Sequence, residues 1–450
     1  WQDFMFACAL QPGDQHHLDN LRKEAVYNVK RLRNHPSMAL WCGNNENLIA
    51  WNNWGWQEKY TPEQRNLLWK TYQEIFYKIL PEAVEKNDPE LSYWASSPQS
   101  YGDKMPDGKS GDEHDWSVWF GPNDFKGYGK NVARFVSEYG LQSFPQKSTL
   151  LYFAQPEDLT MFSKLLDRRQ RSKMDWIEPG FNGNNMQLRY IRQYFPEPKD
   201  FDSFIYLSQV THQLAMKEAI EAHRRNMPVC MGSLYWQIND CWPTISWASV
   251  DYFGNWKASH YQAKRAFEKL ILAPDVHDGK VDLYAVSDDP DNMDVTLQLS
   301  WMTTAGHITG KSMSRKISVP GNTSTRIYTA GFPEKECQSP SDATYLIARL
   351  FSGNMLLTEK LIPFCKPKAE KLEKAGFTSS VTQTADGYQL ILSSKVPARF
   401  VHVDFPGTGG SFSDNYFNLV PGNRKTIHFT TDEQLTDPDS ALKIECLNNL

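Results

Sequence analysis

Between residue 1 and about residue 270, short apolar runs alternate with segments whose apolar positions recur every three or four residues. Phe4–Leu10, Met38–Cys42, Leu91–Ala95, Arg134–Ser137 and Ser233–Gln237 read as buried strands, with Ser117–Phe120 as a weaker sixth. Helices fit between them. In Leu18–Arg33 the residues Leu21, Ala25, Val29 and Leu32 form one apolar face. Pro62–Leu80 opens with Thr61 as N-cap, Pro62 at the first helical position and Glu63 in the first turn. Phe201–Asn226 and Trp256–Leu272 are the other clear helices. Strands alternating with helices are the pattern of βα units around a parallel sheet.

After Pro274 the period shortens to two. "KVDLYAVSDD", "DVTLQLSWMTT", "TSTRIYTAGF" and "ATYLIARLFSG" alternate apolar and polar residues between turn residues, which predicts an antiparallel β-sandwich. A second set, "GYQLILSSK", "ARFVHVDF" and "RKTIHFTT", follows the linker "IPFCKPKAEKLEKAG". The expected domains are therefore 1–272, 273–366 and 367–450, an α/β unit and two all-β supports.

Composition narrows the function classes. The 450-residue chain is 40% hydrophobic and 22% charged, with no apolar run of membrane-spanning length. Its net charge of -5 and the lack of a basic run argue against a nucleic-acid partner. Most of the 15 Trp fall before residue 260, many beside Asn, Asp or Gly. Buried indoles account for most of them; exposed ones beside amides and carboxylates suit a sugar, whose C–H face stacks on indole while its hydroxyls need polar partners. The seven Cys form no CxxC pair and no cluster with His, and Cys8, Cys42 and Cys230 sit among apolar residues. Buried free thiols are expected, and the redox compartment stays open. "WQDFMFACAL" at the start reads as the middle of a core strand, so a segment upstream is expected.

In parallel α/β barrels, functional groups sit where strands end. That rule selects Asp3, Asn45 and Glu46, "WASSP", "GDEHDW", Glu138 in "RFVSEYG", and "LYWQINDCW". Glu46 and Glu138 both follow hydrophobic strands. One Glu in such a place is ordinarily a solvated carboxylate. Two among aromatics fit glycoside hydrolysis, in which one carboxyl protonates the leaving oxygen and the other attacks the anomeric carbon. That mechanism needs no metal or organic cofactor, and Asp112–Asp115 reads as a polar loop rather than a metal site. Residue types alone reach a barrel enzyme acting on sugars.

The motifs reach further. "WQDFMFACAL", "RNHPSMALWCGNNEN", "RFVSEYGLQSFP" and "GSLYWQINDCWPTISWASVDYFGNWKASHYQAKR" closely resemble the β-mannosidases of glycoside hydrolase family 2. The resemblance is strong over residues 1 to about 270 and extends to the β-rich segments in arrangement. It implies an eight-stranded (β/α)8 TIM barrel, here N-terminally truncated with strands 3–8 present, followed by two immunoglobulin-like β-sandwich domains. It makes Glu46 the acid/base, holding its proton in a desolvated setting, and Glu138 the nucleophile, kept ionised by hydrogen-bond donors. Asn45 would hold the 2-hydroxyl, Asp3 other sugar hydroxyls, and Trp54, Trp116 and Trp236 the walls and floor of the sugar site. His114 and Asp115 share the loop of Trp116, which is the favoured one; Trp94 reads equally as core, Asp240 as a turn cap, and His35 as part of a helix-to-strand turn. The expected activity is exo-acting, retaining release of terminal β-mannose from an oligosaccharide or glycan. Another family 2 hydrolase (a glucuronidase, galactosidase or endo-acting mannosidase) and a non-catalytic glycan-binding fragment are the alternatives. The family implies missing N-terminal domains of the same protein as partners, and a periplasmic, secreted or lysosome-like setting.

Overall fold

In the computed structural model, residues 1–102, 104–331 and 344–450 are described. They divide into two units: Trp1–Asp115 with Asn131–Tyr139 and Val229–Leu234, and Trp116–Lys130 with Gly140–Pro228 and Tyr235–Leu450.

The first unit holds two short parallel sheets. β1 (Gln2–Asp3), β2 (Leu40–Cys42) and β3 (Ser92–Trp94) pair in that order, with Asp3 beside Cys42 and Cys42 beside Trp94. β4 (Glu113–Asp115), β5 (Phe135–Tyr139) and β6 (Gly232–Ser233) form the other, with His114 beside Glu138. Helix α1 (Gln15–Leu32) starts where Asp14 accepts from the His17 N–H, and buries Leu21, Ala25 and Val29. These pack with Trp41, Ile75, Phe76 and Ile79 into one core. α2 (Asn47–Asn53) follows β2 directly. α3 (Pro62–Glu74) carries the expected Thr61 cap, in a reciprocal box with Gln64. It then runs on through a π turn, Ile75–Ile79, into α4 (Leu80–Asn87).

Three expectations need correction. The strand read at Phe4–Leu10 is β1, earlier and shorter; after the Phe4 N–H reaches Cys42 O, Cys8 takes a left-handed φ of 47° and regular pairing stops. Ser117–Phe120 is no strand, because its chain folds back with the Phe120 N–H on Trp116 O. The strand is β4, whose polar residues an apolar-run criterion passes over. The helix read at Trp256–Leu272 is α9 (Ala258–Ala266), since Leu270 already opens a sandwich strand.

The second unit adds α5 (Lys147–Leu151), α6 (Lys164–Arg169), α7 (Gly183–Tyr194), α8 (Phe201–Arg225) and α9. α8, capped by Asp200, is buried along nearly its whole length. Two β-sandwiches follow. In the first, Met293–Thr303, Ile308–Val319, Thr344–Ser352 and Met355–Ile362 face Leu270–His277, Lys280–Ser287 and Thr323–Gly331 across a core that includes Leu283, Leu297 and Leu350. In the second, sheets built around Gly387–Ser394 and Ala398–Asp404 enclose Leu390, Val401 and Phe429. Between them Glu370 is buried, accepting from the Tyr345 hydroxyl at 2.5 Å and from both arms of Arg399 at 2.9 and 3.0 Å.

The described cysteines are all free thiols. Cys42 and Cys230 are buried as expected, and so is Cys446, but Cys241 is exposed and so is Cys8, whose strained turn carries it out of the strand. Cys337 lies outside the described residues. Among the described residues, no helix is long and apolar enough to cross a membrane.

Candidate active site

The turn after β2 is built by two residues. Gly43 packs where an added Cβ would lie 2.2 Å from the Tyr93 hydroxyl and 2.4 Å from Ala95 O, so no side chain fits. Asn44 is fully buried: its amide nitrogen donates to Ala95 O, and its oxygen accepts from the Asn47 N–H and the Ser96 hydroxyl. The turn drives Glu46 into the left-handed region, φ 62°, at the head of α2, where it makes no side-chain cap. A non-glycine there costs roughly 1–2 kcal/mol. The Glu46 N–H donates to Ser97 O at 2.6 Å, which fixes the side chain's root.

Glu138 reaches the same place from β5. His114, its neighbour in register on β4, lies between the two carboxyls: Nδ1 is 2.9 Å from Glu46 Oε1 and 3.4 Å from Glu138 Oε2. The side chains are 14%, 13% and 4% exposed for Glu46, Glu138 and His114, so all three are shielded but reachable. One donor atom from each lies within 4.8 Å of the others. A single cation could reach that far, yet hydrogen bonding accounts for the spacing. On the far side of the ring, Nε2 lies 3.0 Å from Ser97 Oγ. Ser97 and Ser137 both donate to Asp112 Oδ2, at 2.6 and 2.5 Å. Asp112 Oδ1 accepts from Trp94 Nε1 and the Gln99 N–H. The second oxygen of Glu46 meets the Cys8 thiol at 3.2 Å.

Charges follow from these contacts. Burial alone would lower the His114 pKa, but the hydrogen bond it donates to Glu46 and the negative charge of Glu138, Glu46 and Asp112 outweigh it, and the net direction is up. The Cys8 thiol is pushed up to about 12, by burial first and then by Glu46 and Glu138. It is a neutral S–H donor at ordinary pH. Burial likewise raises Asp3, which accepts from Trp1 Nε1 at 2.7 Å.

Of the residues singled out in the sequence, Glu46 and Glu138 come together. Asn45 sits one residue before Glu46, its N–H on Phe6 O and its carbonyl accepting from the Cys8 N–H. Trp54 closes α2 and is 48% exposed, whereas Trp51 is buried and stacked near Trp69. Trp94 is half-buried and tied to Asp112. Trp116 and Trp236 belong to the second unit. There Trp116 packs near Phe120 and Trp247, and Trp236 is 41% exposed. Asp240 accepts from the Ser246 hydroxyl, and His35 closes a turn after α1. Sequence reasoning named His114 but passed it over, and missed Ser97, Asp112 and Cys8. The signal for the first three was present: "WASSP" ends β3, "GDEHDW" contains β4, and Asp112 and His114 stand two apart, the spacing of side chains on one strand face.

Comparison with known proteins agrees with this architecture. Residues 279–369 match the mannosidase Ig/CBM-like domain family and residues 372–450 an Ig-fold domain family. The chain is 29% identical over 473 residues to β-mannosidase B of Aspergillus fumigatus, covering 99% of this chain and 54% of that protein. It is 32% identical over 452 residues to the β-mannosidase of Rattus norvegicus, covering 93% and 50%. Among solved structures, the β-D-mannosidase of Dictyoglomus thermophilum superposes with a TM-score of 0.84 at 31% identity, over 99% of this chain and 52% of that one. An exo-chitosanase of Amycolatopsis orientalis shares the fold, with a TM-score of 0.67 at 14% identity over 97% and 54%. The chain spans about half the length of the relatives it matches. Its mixed α/β unit followed by Ig-like domains is that of the glycoside hydrolases of family 2. Over nearly its whole length it is similar to the C-terminal part of the β-mannosidases of that family.

Proposed function

We propose that the intact protein is an exo-acting, retaining β-mannosidase, with Glu138 as nucleophile and Glu46 as acid/base. The observation that carries this reading is the pair of carboxyls with one oxygen of each within 4.8 Å, facing one imidazole. Carboxyls that close fit double displacement, which uses a separation of roughly 5–5.5 Å, and leave no room for the water that inverting enzymes place between carboxyls roughly 6.5–9.5 Å apart. Glu138 attacks C1 while Glu46 protonates the leaving oxygen; water then takes the reverse path, giving its proton to Glu46. In this reading β1–β6 are strands 3–8 of an eight-stranded barrel. Asn45 holds the 2-hydroxyl, and Asp3, Trp54, Trp116 and Trp236 bind the mannose, as in the family the sequence resembles.

The test is turnover of an aryl β-mannoside by the intact protein. Glu138→Ala should lose more than about 10³-fold in kcat. Added azide should give a mannosyl azide of inverted configuration, because the small anion fills the space of the missing carboxylate. Full activity in Glu138→Ala would remove the assignment. Faster turnover of substrates with an equatorial 2-hydroxyl would move it to another hydrolase of the class.

A further inference from the structure

The orientation of each proton around His114 can be worked out. Asp112 receives four donors, from Trp94, Gln99, Ser97 and Ser137. A carboxylate in that position only accepts, so the Ser97 hydroxyl points its proton at Asp112. Its oxygen then has only lone pairs to offer His114, and Nε2 must carry a hydrogen. Nδ1 is therefore the exchangeable position, and it faces Glu46 Oε1. Among the described residues, the other oxygen of Glu46 meets the Cys8 S–H, a weak donor that a substrate displaces with little loss.

We propose that His114 is the proton partner of Glu46: Oε2 serves the glycosidic oxygen while Oε1 exchanges a proton with His114 Nδ1. The inference rests on the glycosidase reading above and deepens it. In the first step Oε2–H passes to the leaving oxygen and Nδ1–H passes to Oε1. Glu138 bonds to C1 and the C1–O bond breaks. Imidazolium becomes imidazole, Glu46 stays a neutral acid, Glu138 becomes a neutral ester, and the aglycone leaves as an alcohol. In the second step water bonds to C1, its proton goes to Oε2, the Oε1 proton returns to Nδ1, and the C1–Glu138 bond breaks. No carboxylate is left at Glu46 in either step, which suits a shielded site. Groups other than Glu46 supply negative charge that favours the protonated ring: Glu138 at Nδ1, Asp112 behind Ser97, and the charges of Asp3 on β1 and Glu113 beside it on β4. Cys8, neutral, adds none. His114 acts through Glu46 and is a positioning residue.

The test is His114→Asn in the intact protein, compared on an alkyl β-mannoside and on an aryl β-mannoside with a highly acidic phenol. The Asn side chain can still hydrogen-bond Glu46 but cannot titrate. The expected result is a kcat/KM loss at least about tenfold greater on the alkyl substrate, whose leaving group needs the proton. The alkaline limb of kcat/KM should also move to higher pH, since the imidazolium that favours loss of the Glu46 proton is gone. Ser97→Ala, which leaves the ring in place and removes its anchor, should show the same selectivity to a smaller degree. Equal losses on both substrates with the pH profile unmoved, in either variant that folds, would overturn the relay while leaving the glycosidase reading intact. That reading fails separately, if Glu138→Ala keeps full turnover.

Discussion

At the scale of the residue, the candidate site depends on positions that do no chemistry. Gly43 is the clearest. A methyl there would overlap the Tyr93 hydroxyl and the Ala95 carbonyl, and the backbone oxygen cannot swing away. Gly43→Ala should cost about 1–3 kcal/mol of stability and displace the turn that holds Glu46. The checks are a denaturation midpoint and turnover on an aryl mannoside, with turnover falling more than the midpoint explains. Glu46 and Glu138 were legible because each ends a hydrophobic run. Cys8 was misread for the same reason: its neighbours are apolar, and nothing in the letters says that its backbone turns left-handed and puts its thiol on Glu46. His114 was visible, but its place between two carboxyls depends on the pairing of β4 with β5, a register no local pattern fixes.

At the scale of the element, caps and periodicity were read well, and strand ends were not. The Thr61 cap appears as the letters predict, and Gln64 completes it into a box, with the Thr61 N–H on Gln64 Oε1 at 3.0 Å and the Gln64 N–H on Thr61 Oγ1 at 3.3 Å. Thr61→Ala should therefore lower stability by about 1 kcal/mol while leaving turnover intact, measured by urea unfolding followed by tryptophan fluorescence. A midpoint unchanged within error would show that α3 is held by its packing alone. Helices speak locally because their hydrogen bonds close within one turn, whereas β4 is three polar residues whose strand state comes from its neighbour. The sandwiches were legible because their period-two alternation repeats many times over.

At the scale of the whole molecule, buried titratable groups set the response to acid. His212 and His223 are both buried, and burial first, helped by Lys257 and Arg225 respectively, lowers their affinity for protons, to about 3 in the case of His223. Unfolded, each binds a proton below about 6.5. The unfolded chain then holds more protons than the folded one, so stability falls as pH drops below about 6.5, by up to ~1.4 kcal/mol per pH unit for each group. Glu221 adds to the loss in stronger acid. Burial alone would raise it, but Lys217 and Lys360 hold it below the usual carboxylate range. Thermal melts at pH 7 and pH 5 should show a lower midpoint at pH 5, and equal midpoints would contradict the buried neutral imidazoles. The joint between the two sandwiches was hidden in the sequence, where "KPKAEKLEKAG" looks like a solvated tether. Glu370 within it is instead clamped by a phenol and a guanidinium. Mechanically that joint is a rivet: cutting one side of it, as in Arg399→Ala, would strand the Glu370 charge in a poorly polarisable interior, at roughly 3–5 kcal/mol.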